Sequence, residues 1–487
     1  MGIEGKRRPA ATWPARSLRL VLAAISGSML FLSDHPTHWW PLQLCALVPW
    51  LWALTATQTD GAKRPWGWAM PASAGFLLGL FYAVPLLVVT AFPWMMAVGL
   101  GLYTAATWTV LSVVVARLLS WPGLRGALAV GGAAAFVEWL AIHAVPVWGT
   151  AQSFVRVWSE APWAIQFVEL TGTTGIVFVL FTLQVLIVRI VRGMPYVRDH
   201  AAALGVLVGI VAVYDAVRWL ETPRGSVRVA AVGWTDKQLP QGARTSTPVI
   251  VRDMLVPLVQ QAVDQGATLV VSPEAPFNVA ASARDDLLRP LFDLARARDV
   301  SIAVGYFDTT HDDNRVVFID RHGARPTIYR KSHLIPLIER YEPGDGTRVS
   351  WDVQGHGVGA MVCQDDNFMD LASGYGRDGL PIVVVPTNDW HAVKNYHFEN
   401  SRMRPLENRY GIVRAATNGV SAIVSARGEV LAATDHFENG PGVVVTDLPL
   451  FRPGSAHAWA RHAFPLACAV LLLGLGWSAR RARLRGA

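Results

Sequence analysis

Apolar stretches long enough to cross a bilayer, roughly 20 residues each, recur through the first 220 positions of this chain. They fall near 18–33, 41–57, 69–90, 94–116, 126–144, 165–188 and 200–220, with one more near 458–477. No other feature constrains the fold as strongly, because a chain patterned this way has to build a multi-span α-helical membrane bundle. The first stretch has a basic flank, but no small-x-small site precedes the next apolar run. It therefore reads as a retained span and not a cleaved leader. Composition agrees: of 487 residues, 52% are apolar and only 16% charged, and the mean hydropathy is +0.31. The 20 tryptophans suit a membrane protein, since indole rings favour the headgroup interface.

The basic residues mark the loops. Lys6, Arg7, Arg8, Arg16 and Arg19 precede the first span, which predicts a cytoplasmic N-terminus. Alternating from there, the cytoplasmic loops carry Lys63 and Arg64, then Arg117 and Arg125, then Arg189, Arg192 and Arg198. The loops between them carry almost none, Arg156 being the exception. Seven crossings then place residues 225–450 outside, and an eighth returns the tail, with Arg480, Arg481, Arg483 and Arg485, to the cytoplasm. The net charge of +7 is thus a topology signal, and no nucleic-acid partner is expected. Glu138, Glu169 and Asp215 lie in or near the ends of spans. A carboxylate facing lipid is costly, so each is expected to face the bundle interior as a packing partner.

From Ser226 the pattern changes to short β-rich runs separated by polar turns. Strands are expected at 227–232, 267–273, 301–307, 315–320, 326–330, 358–363, 381–386, 420–425 and 442–446, and helices at 249–264, 284–298 and 397–409. Arg321-His-Gly-Ala and Ala426-Arg-Gly-Glu read as hairpin turns. Such alternation argues for a layered α/β domain, a buried sheet covered by helices. Three regions follow: a membrane domain over 1–222, an extracytoplasmic catalytic domain over 223–452, and a last span with its basic tail over 453–487.

Cys363 is the only cysteine in the water-soluble part, since Cys45 and Cys468 lie in apolar segments. It closes the run Val358-Gly-Ala-Met-Val-Cys, while Glu274 closes Ala267-Thr-Leu-Val-Val-Ser-Pro-Glu and Lys331 sits in Tyr329-Arg-Lys-Ser-His-Leu. A base, a cation and a thiol at strand ends are the parts needed to activate a sulfur nucleophile and stabilise an oxyanion. A free thiol titrates near pH 8.5. Lys331 is expected to lower that value by its charge and Glu274 to accept the proton. There is no disulfide framework, zinc spacing or phosphate-cradling glycine loop, so neither a cofactor nor a metal is expected.

These motifs resemble the nitrilase superfamily, whose Glu-Lys-Cys triad sits on an αββα sandwich. With a multi-span region before the domain and one span after it, the whole chain is similar to the apolipoprotein N-acyltransferase family of bacteria. Lys331-Ser-His-Leu-Ile-Pro-Leu-Ile-Glu339 keeps that family's Lys, Pro and Glu in register. Thr387-Asn-Asp-Trp390, Arg402-Met-Arg-Pro-Leu-Glu407 and Arg414-Ala-Ala-Thr-Asn-Gly419 match its later motifs, and Glu138-Trp-Leu and Pro146-Val-Trp-Gly-Thr-Ala-Gln152 are similar in the membrane part. One departure stands out: the family follows its cysteine with an aromatic and then an acidic residue, whereas here Gln364 and Asp365 follow.

The resemblance implies an N-acyltransferase of the cytoplasmic (inner) membrane, acting as a monomer by default, with both termini cytoplasmic. The acyl chain would pass from a phospholipid, through a thioester on Cys363, to the free α-amine of an apolipoprotein's diacylglyceryl-cysteine. Glu274 would be the general base, Lys331 the oxyanion stabiliser and Glu339 a supporting carboxylate, with Asp365, Asn388 and Trp390 binding substrate. Trp351, Trp390, Tyr396 and Phe398 are candidates for an apolar rim facing the bilayer. Two other classes fit the same residues: a membrane-tethered nitrilase-type amidase, and an inactive lipoprotein-binding scaffold motivated by Gln364.

Overall fold

Among the described residues six helices are long and apolar enough to cross a membrane: Arg16–Asp34, Ala69–Val89, Trp94–Leu118, Gly123–Ala144, Thr173–Val191 and Val197–Trp219. The computed structural model describes residues 16–34, 37–56, 67–145, 148–238, 247–320 and 327–485. The turn expected at 321–324 lies outside them. The chain divides into two units, Met1–Val137 with Phe178–Gly205 and Leu472–Ala487, and Glu138–Val177 with Val206–Leu471.

Small residues set the helix spacing in the first unit. A Cβ on Gly27 would lie 2.4 Å from the Leu78 carbonyl oxygen, and one on Gly75 2.3 Å from that of Trp108. This is the close backbone approach that glycine permits between membrane helices. Trp50 is wholly buried, edge-on to Trp108 and Phe181, and its indole N–H donates to Ser112 Oγ at 3.2 Å. Arg189 donates to the carbonyls of Leu119, Trp121 and Gly123, satisfying oxygens left open where helix Trp94–Leu118 ends.

Three expected spans differ in detail. The one near 41–57 is a 3₁₀ turn, Trp40–Leu44, followed by a nine-residue helix, Val48–Ala56. Pro41 and Pro49 each remove a backbone donor and restart the chain there. Nine residues rise only about 14 Å, less than half the hydrocarbon thickness. The span near 165–188 breaks at Gly172, whose φ of +66° ends a short turn before helix Thr173–Val191 begins. The last helix starts at Ala463, because Ala456–Trp459 forms a separate turn capped by Ser455.

Among the described residues the second unit holds thirteen strands: β1 (Gly225–Gly233), β2 (Leu269–Val271), β3 (Asn278–Val279), β4 (Ser301–Asp308), β5 (Asp313–Ile319), β6 (Thr327–Arg330), β7 (Trp351–Val353), β8 (His356–Ala360), β9 (Ile382–Asn388), β10 (Gly411–Thr417), β11 (Val420–Val424), β12 (Val430–Asp435) and β13 (Gly442–Leu450). One sheet runs β13-β1-β2-β4-β5-β6, with β3 beside β4; the other runs β12-β11-β10-β9-β8-β7. In each sheet a parallel trio, β1-β2-β4 or β10-β9-β8, is flanked by antiparallel strands.

Period-2 alternation divides the side chains between two faces. Val227, Val229 and Ala231 join Leu269, Val271, Ile382, Val384 and Val413 in a core between the two sheets. Ala230 and Val232 face the other way, with Val259, Leu291 and Ala295 of helices Val256–Asp264 and Arg289–Arg298. Val383, Val385 and Ile412 of the second sheet pack with Leu371 and Tyr375 of helix Met369–Arg377. The order helix, sheet, sheet, helix is the αββα sandwich.

Residues 148–172 belong to this second unit and form successive 3₁₀ turns that pack on helix Lys394–Asn408. Arg156, the one basic residue out of place in the loop pattern, is buried 3.5 Å from Glu399, with its guanidinium over the Tyr396 ring. Glu160 pairs with Arg402, and Glu407 accepts the backbone N–H of Thr173 at 3.1 Å. Glu169 accepts from Tyr214 and Arg218 and pairs with Arg409, while Asp215 accepts the Phe167 N–H at 2.9 Å. Both carboxylates are packing partners, as expected; Glu138 is half-buried on its helix.

Candidate active site

The C-terminal ends of parallel strands converge where the two sheets meet, and the expected triad lies there. Glu274 follows β2 by three residues, in a turn that Gly305 lets approach: a Cβ on Gly305 would sit 2.1 Å from the Pro273 carbonyl oxygen. Lys331 directly follows β6. Cys363 lies beyond the end of β8, where the strand expected at 358–363 stops short, and begins the 3₁₀ turn Cys363–Asn367. Its φ of +48° is one that side-chain-bearing residues seldom adopt, a strain that neighbouring contacts have to hold.

Lys331 bridges two carboxylates, Nζ to Glu274 Oε1 at 2.7 Å and to Glu339 Oε1 at 2.6 Å. Glu274 also accepts from the Asn314 amide at 2.7 Å and from the Asn388 backbone N–H at 2.8 Å. Glu339 is fixed by the Ile335 N–H at 2.7 Å and the Tyr341 hydroxyl at 2.8 Å. The Cys363 sulfur lies 3.8 Å from the Asn388 carbonyl oxygen. Asn314 and Tyr341 join the site from outside the sequence motifs; the polar run Asp313-Asn314-Arg315 opening a buried strand is the available signal.

Burial and then the Glu274 charge push the Cys363 thiol well above its usual range, and Lys331 only partly opposes them. Lys331 does act to lower the thiol, as expected, but burial and Glu274 outweigh it. Burial also raises the Glu274 carboxyl, with Lys331 opposing and Glu339 adding to the rise, which makes it a stronger base. Burial acts against the Lys331 ammonium, but Glu274, the Cys363 sulfur and Glu339 outweigh it and hold the group charged. A base poised beside a protonated thiol, with a fixed cation between carboxylates, suits proton transfer at the moment of attack.

The other expected site residues divide. Asp365 is fully buried and accepts from the Tyr329 hydroxyl (2.8 Å) and the N–H groups of Val362 (3.0 Å), Ser332 (3.1 Å) and His333 (2.7 Å). A carboxylate has about four lone-pair sites, so these donors occupy it. Asp365 thereby ties the lysine segment to the cysteine turn. Asn388 contributes its backbone to Glu274 and exposes its side chain, which accepts from Asn418 at 3.1 Å. Trp390 is half-buried, and its carbonyl accepts the Val393 N–H at 2.9 Å.

The family departure at Gln364 points inward: the residue is buried, and its amide oxygen accepts from Asn367 at 2.7 Å. Of the expected rim, Trp351 stacks on Phe318, Tyr396 donates to the Ala151 carbonyl, and Phe398 joins the second sheet's helix-facing core. The exposed apolar residues of the lysine loop are Leu337 and Ile338, two and one positions before Glu339.

Asp366 and Asp389 flank His397, at 3.2 Å from Nε2 and 2.7 Å from Nδ1, and Arg414 holds Asp389 at 2.7 Å. The ligand atoms of Cys363, Asp389 and His397 fall within 4.8 Å of one another. That spacing would suit a metal ion, but the carboxylates already hold His397 and Arg414, so the group reads as an ion-pair network beneath the nucleophile. Burial opposes the imidazolium, yet Asp389 and Asp366 prevail and raise His397 to about 9. A folded-state value above the ordinary one gives stability that is complete below about pH 6.5 and lost as pH rises through about 9, up to roughly 3 kcal/mol. Melting curves at pH 7 and pH 10 should show this loss, and His397→Gln should lack that part of it.

The turn is also braced from residues 149–150. Gly149 has φ +52°, and a Cβ there would sit 2.1 Å from the Asn367 carbonyl oxygen, which the Thr150 hydroxyl contacts at 3.0 Å. Gly149→Ala should cost about 1–3 kcal/mol, from backbone strain plus that clash, read as a lower melting temperature and slower alkylation of Cys363.

Residues 237–457 match the carbon-nitrogen hydrolase family. Over 97% of its length the chain is 27% identical to an apolipoprotein N-acyltransferase of Gloeobacter violaceus, covering 97% of that protein. It is 25% identical to one of Rhodopseudomonas palustris, over 91% of each. Among solved structures, an amidase from Nesterenkonia sp. is similar at 23% identity and a TM-score of 0.39, covering 47% of this chain and 92% of the amidase.

Proposed function

We propose that this chain, a relative of the apolipoprotein N-acyltransferases with a carbon-nitrogen hydrolase domain, is a membrane N-acyltransferase working through Cys363. The observation that carries the reading is Lys331 held between Glu274 and Glu339 beside a strained, strand-end cysteine. In the first step the sulfur attacks the ester carbonyl of a phospholipid and its proton passes to Glu274. Lys331 stabilises the tetrahedral oxyanion. The C–O bond then breaks, Glu274 returns the proton to the departing lysophospholipid, and a thioester remains. In the second step the α-amine of a diacylglyceryl-cysteine attacks that thioester. The C–S bond breaks, and Glu274 carries the amine proton to the sulfur.

The acceptor follows the relatives' name and the phospholipid donor the family resemblance; both substrates are lipid-anchored, which gives a membrane bundle a purpose. The sandwich is placed on the extracytoplasmic side and both termini in the cytoplasm, with the regions 1–222, 223–452 and 453–487 as functional divisions and a monomer as the working unit. Because six long helices precede the sandwich, that placement requires residues 40–55 to complete a seventh crossing. Reporter fusions after residues 60 and 455 should report the cytoplasm and the outside, respectively, if they do, and the outside and the cytoplasm if they do not.

The test of activity is purified protein, phospholipid and a synthetic diacylated lipopeptide with a free α-amine. One acyl group should appear on the amine, and none with Cys363→Ala. Release of ammonia from small amides with no lipopeptide product would favour an amidase, and no reaction of either kind a scaffold. Burial of Gln364 in the turn removes the motive for the scaffold reading.

A further inference from the structure

We propose that Arg461, His462, His143 and the Trp139 indole form a phosphate site that seats the headgroup of a bilayer phospholipid. The four side chains belong to the end of helix Gly123–Ala144 and the approach to helix Ala463–Arg485. His143 and His462 have ring centroids 5.1 Å apart, and Trp139 lies 5.0 Å from His143 and 5.7 Å from His462.

The hydrogen bonds do not close by themselves. Trp139 Nε1 faces His462 Nδ1 at 3.0 Å, and Arg461 Nε faces His462 Nε2 at 3.0 Å. A neutral imidazole offers one acceptor nitrogen, so in either tautomer one of these pairs sets donor against donor. An anionic oxygen accepting from both members of that pair removes the conflict. His143 Nδ1 is engaged by the Trp139 carbonyl at 2.8 Å, which leaves Nε2 as its free functional edge. Among the described residues no carboxylate pairs with Arg461, His143 or His462. A guanidinium and two imidazoles without a counter-charge are a receptor for a tetrahedral oxyanion, which arginine can grip with two parallel bonds.

The surroundings decide the source of the phosphate. Trp459 and Leu466, on either side of the basic pair, are 71% and 46% exposed, and Val470 one turn further along is 67% exposed. On the other helix Leu140 is 48% exposed. A guanidinium and N–H donors at the helix ends, with bare apolar side chains one turn deeper, match the depth profile of a phospholipid, phosphate above and acyl chain below. A free phosphate would have no use for the apolar wall. The site does not depend on the chemistry at Cys363, and it would serve an amidase as well as an acyltransferase.

The test uses the full chain in nanodiscs of phosphatidylglycerol and a phosphate-free diacyl glycolipid in equal amounts, followed by native mass spectrometry of retained lipid. Retention should favour phosphatidylglycerol by about tenfold, and the double substitution Arg461→Gln with His462→Gln should bring the preference to about unity. Equal retention of the glycolipid by the parent protein, or an undiminished preference in the double variant, overturns the proposal. Displacement of the lipid by millimolar inorganic phosphate or glycerol 3-phosphate would overturn the lipid assignment in favour of a soluble anion. If the variant does not fold, the parent protein with ¹⁵N-labelled histidine still decides. His462 should titrate at higher pH in phosphatidylglycerol than in glycolipid nanodiscs, and identical titrations contradict the site.

Discussion

Lys331→Met is expected to lower acyl transfer by at least about a thousand-fold, the upper end for loss of one oxyanion donor. Two effects act together. The substitution removes the cation proposed to face the oxyanion, and it leaves Glu274 and Glu339 near each other with nothing between them. Lys331 now restrains the rise of the Glu274 carboxyl, against burial and against Glu339. Without it the carboxyl moves further up, holds a proton at neutral pH and ceases to be a base. The loss should therefore appear in both acylation and deacylation, measured as single-turnover rates. Glu339→Gln in the same background should restore part of the activity by removing the neighbouring charge, an outcome that simple loss of folding would not give.

Glu274→Gln should also reduce turnover by about a thousand-fold, within the range for removing a general base, but with an opposite signature at sulfur. Glu274 is the second cause, after burial, of the high thiol value at Cys363, whereas Lys331 acts to lower it. Making residue 274 neutral leaves the lysine's influence, so the thiol should ionise at lower pH than in the parent. Iodoacetamide should then alkylate Cys363 faster at pH 7 while acyl transfer is nearly abolished. A variant whose thiol and turnover decline together would place Glu274 in a purely structural role.

The proposed triad is legible because each member terminates or follows an apolar run that marks a buried strand: Leu269–Val271, Ile328–Tyr329 and Val358–Val362. What the sequence left open were interactions of long separation. β10 is absent from the expected strands because Arg414 interrupts its apolar pattern, and the Asp389 carboxylate and the Val420 carbonyl make a buried arginine tolerable there. Asp366 and His397 are 31 residues apart, and no local spacing links them. Arg156 contradicted the loop-charge pattern, and that contradiction was the one sign that residues 148–172 fold onto helix Lys394–Asn408. Hydropathy alone overestimated the second span, since an apolar count does not register the two prolines that break it.

Gln364 illustrates the same limit from the other side. As a departure from a family pattern it drew attention to substrate fit, yet its side chain bonds Asn367 within the turn that Gly149 and Thr150 brace. The turn is held from below by the His397 network and from the lysine side by Asp365, so the strained φ at Cys363 has support on several sides.

The account rests on a covalent acyl-enzyme at Cys363, and intact-mass spectrometry of the purified protein after incubation with phospholipid alone tests it most directly. It predicts a mass increase of one fatty-acyl group, removed by hydroxylamine, located on the peptide containing Cys363 and absent in Cys363→Ala. A folded protein with an alkylatable Cys363 that gains no acyl mass from any of several phospholipids would contradict it.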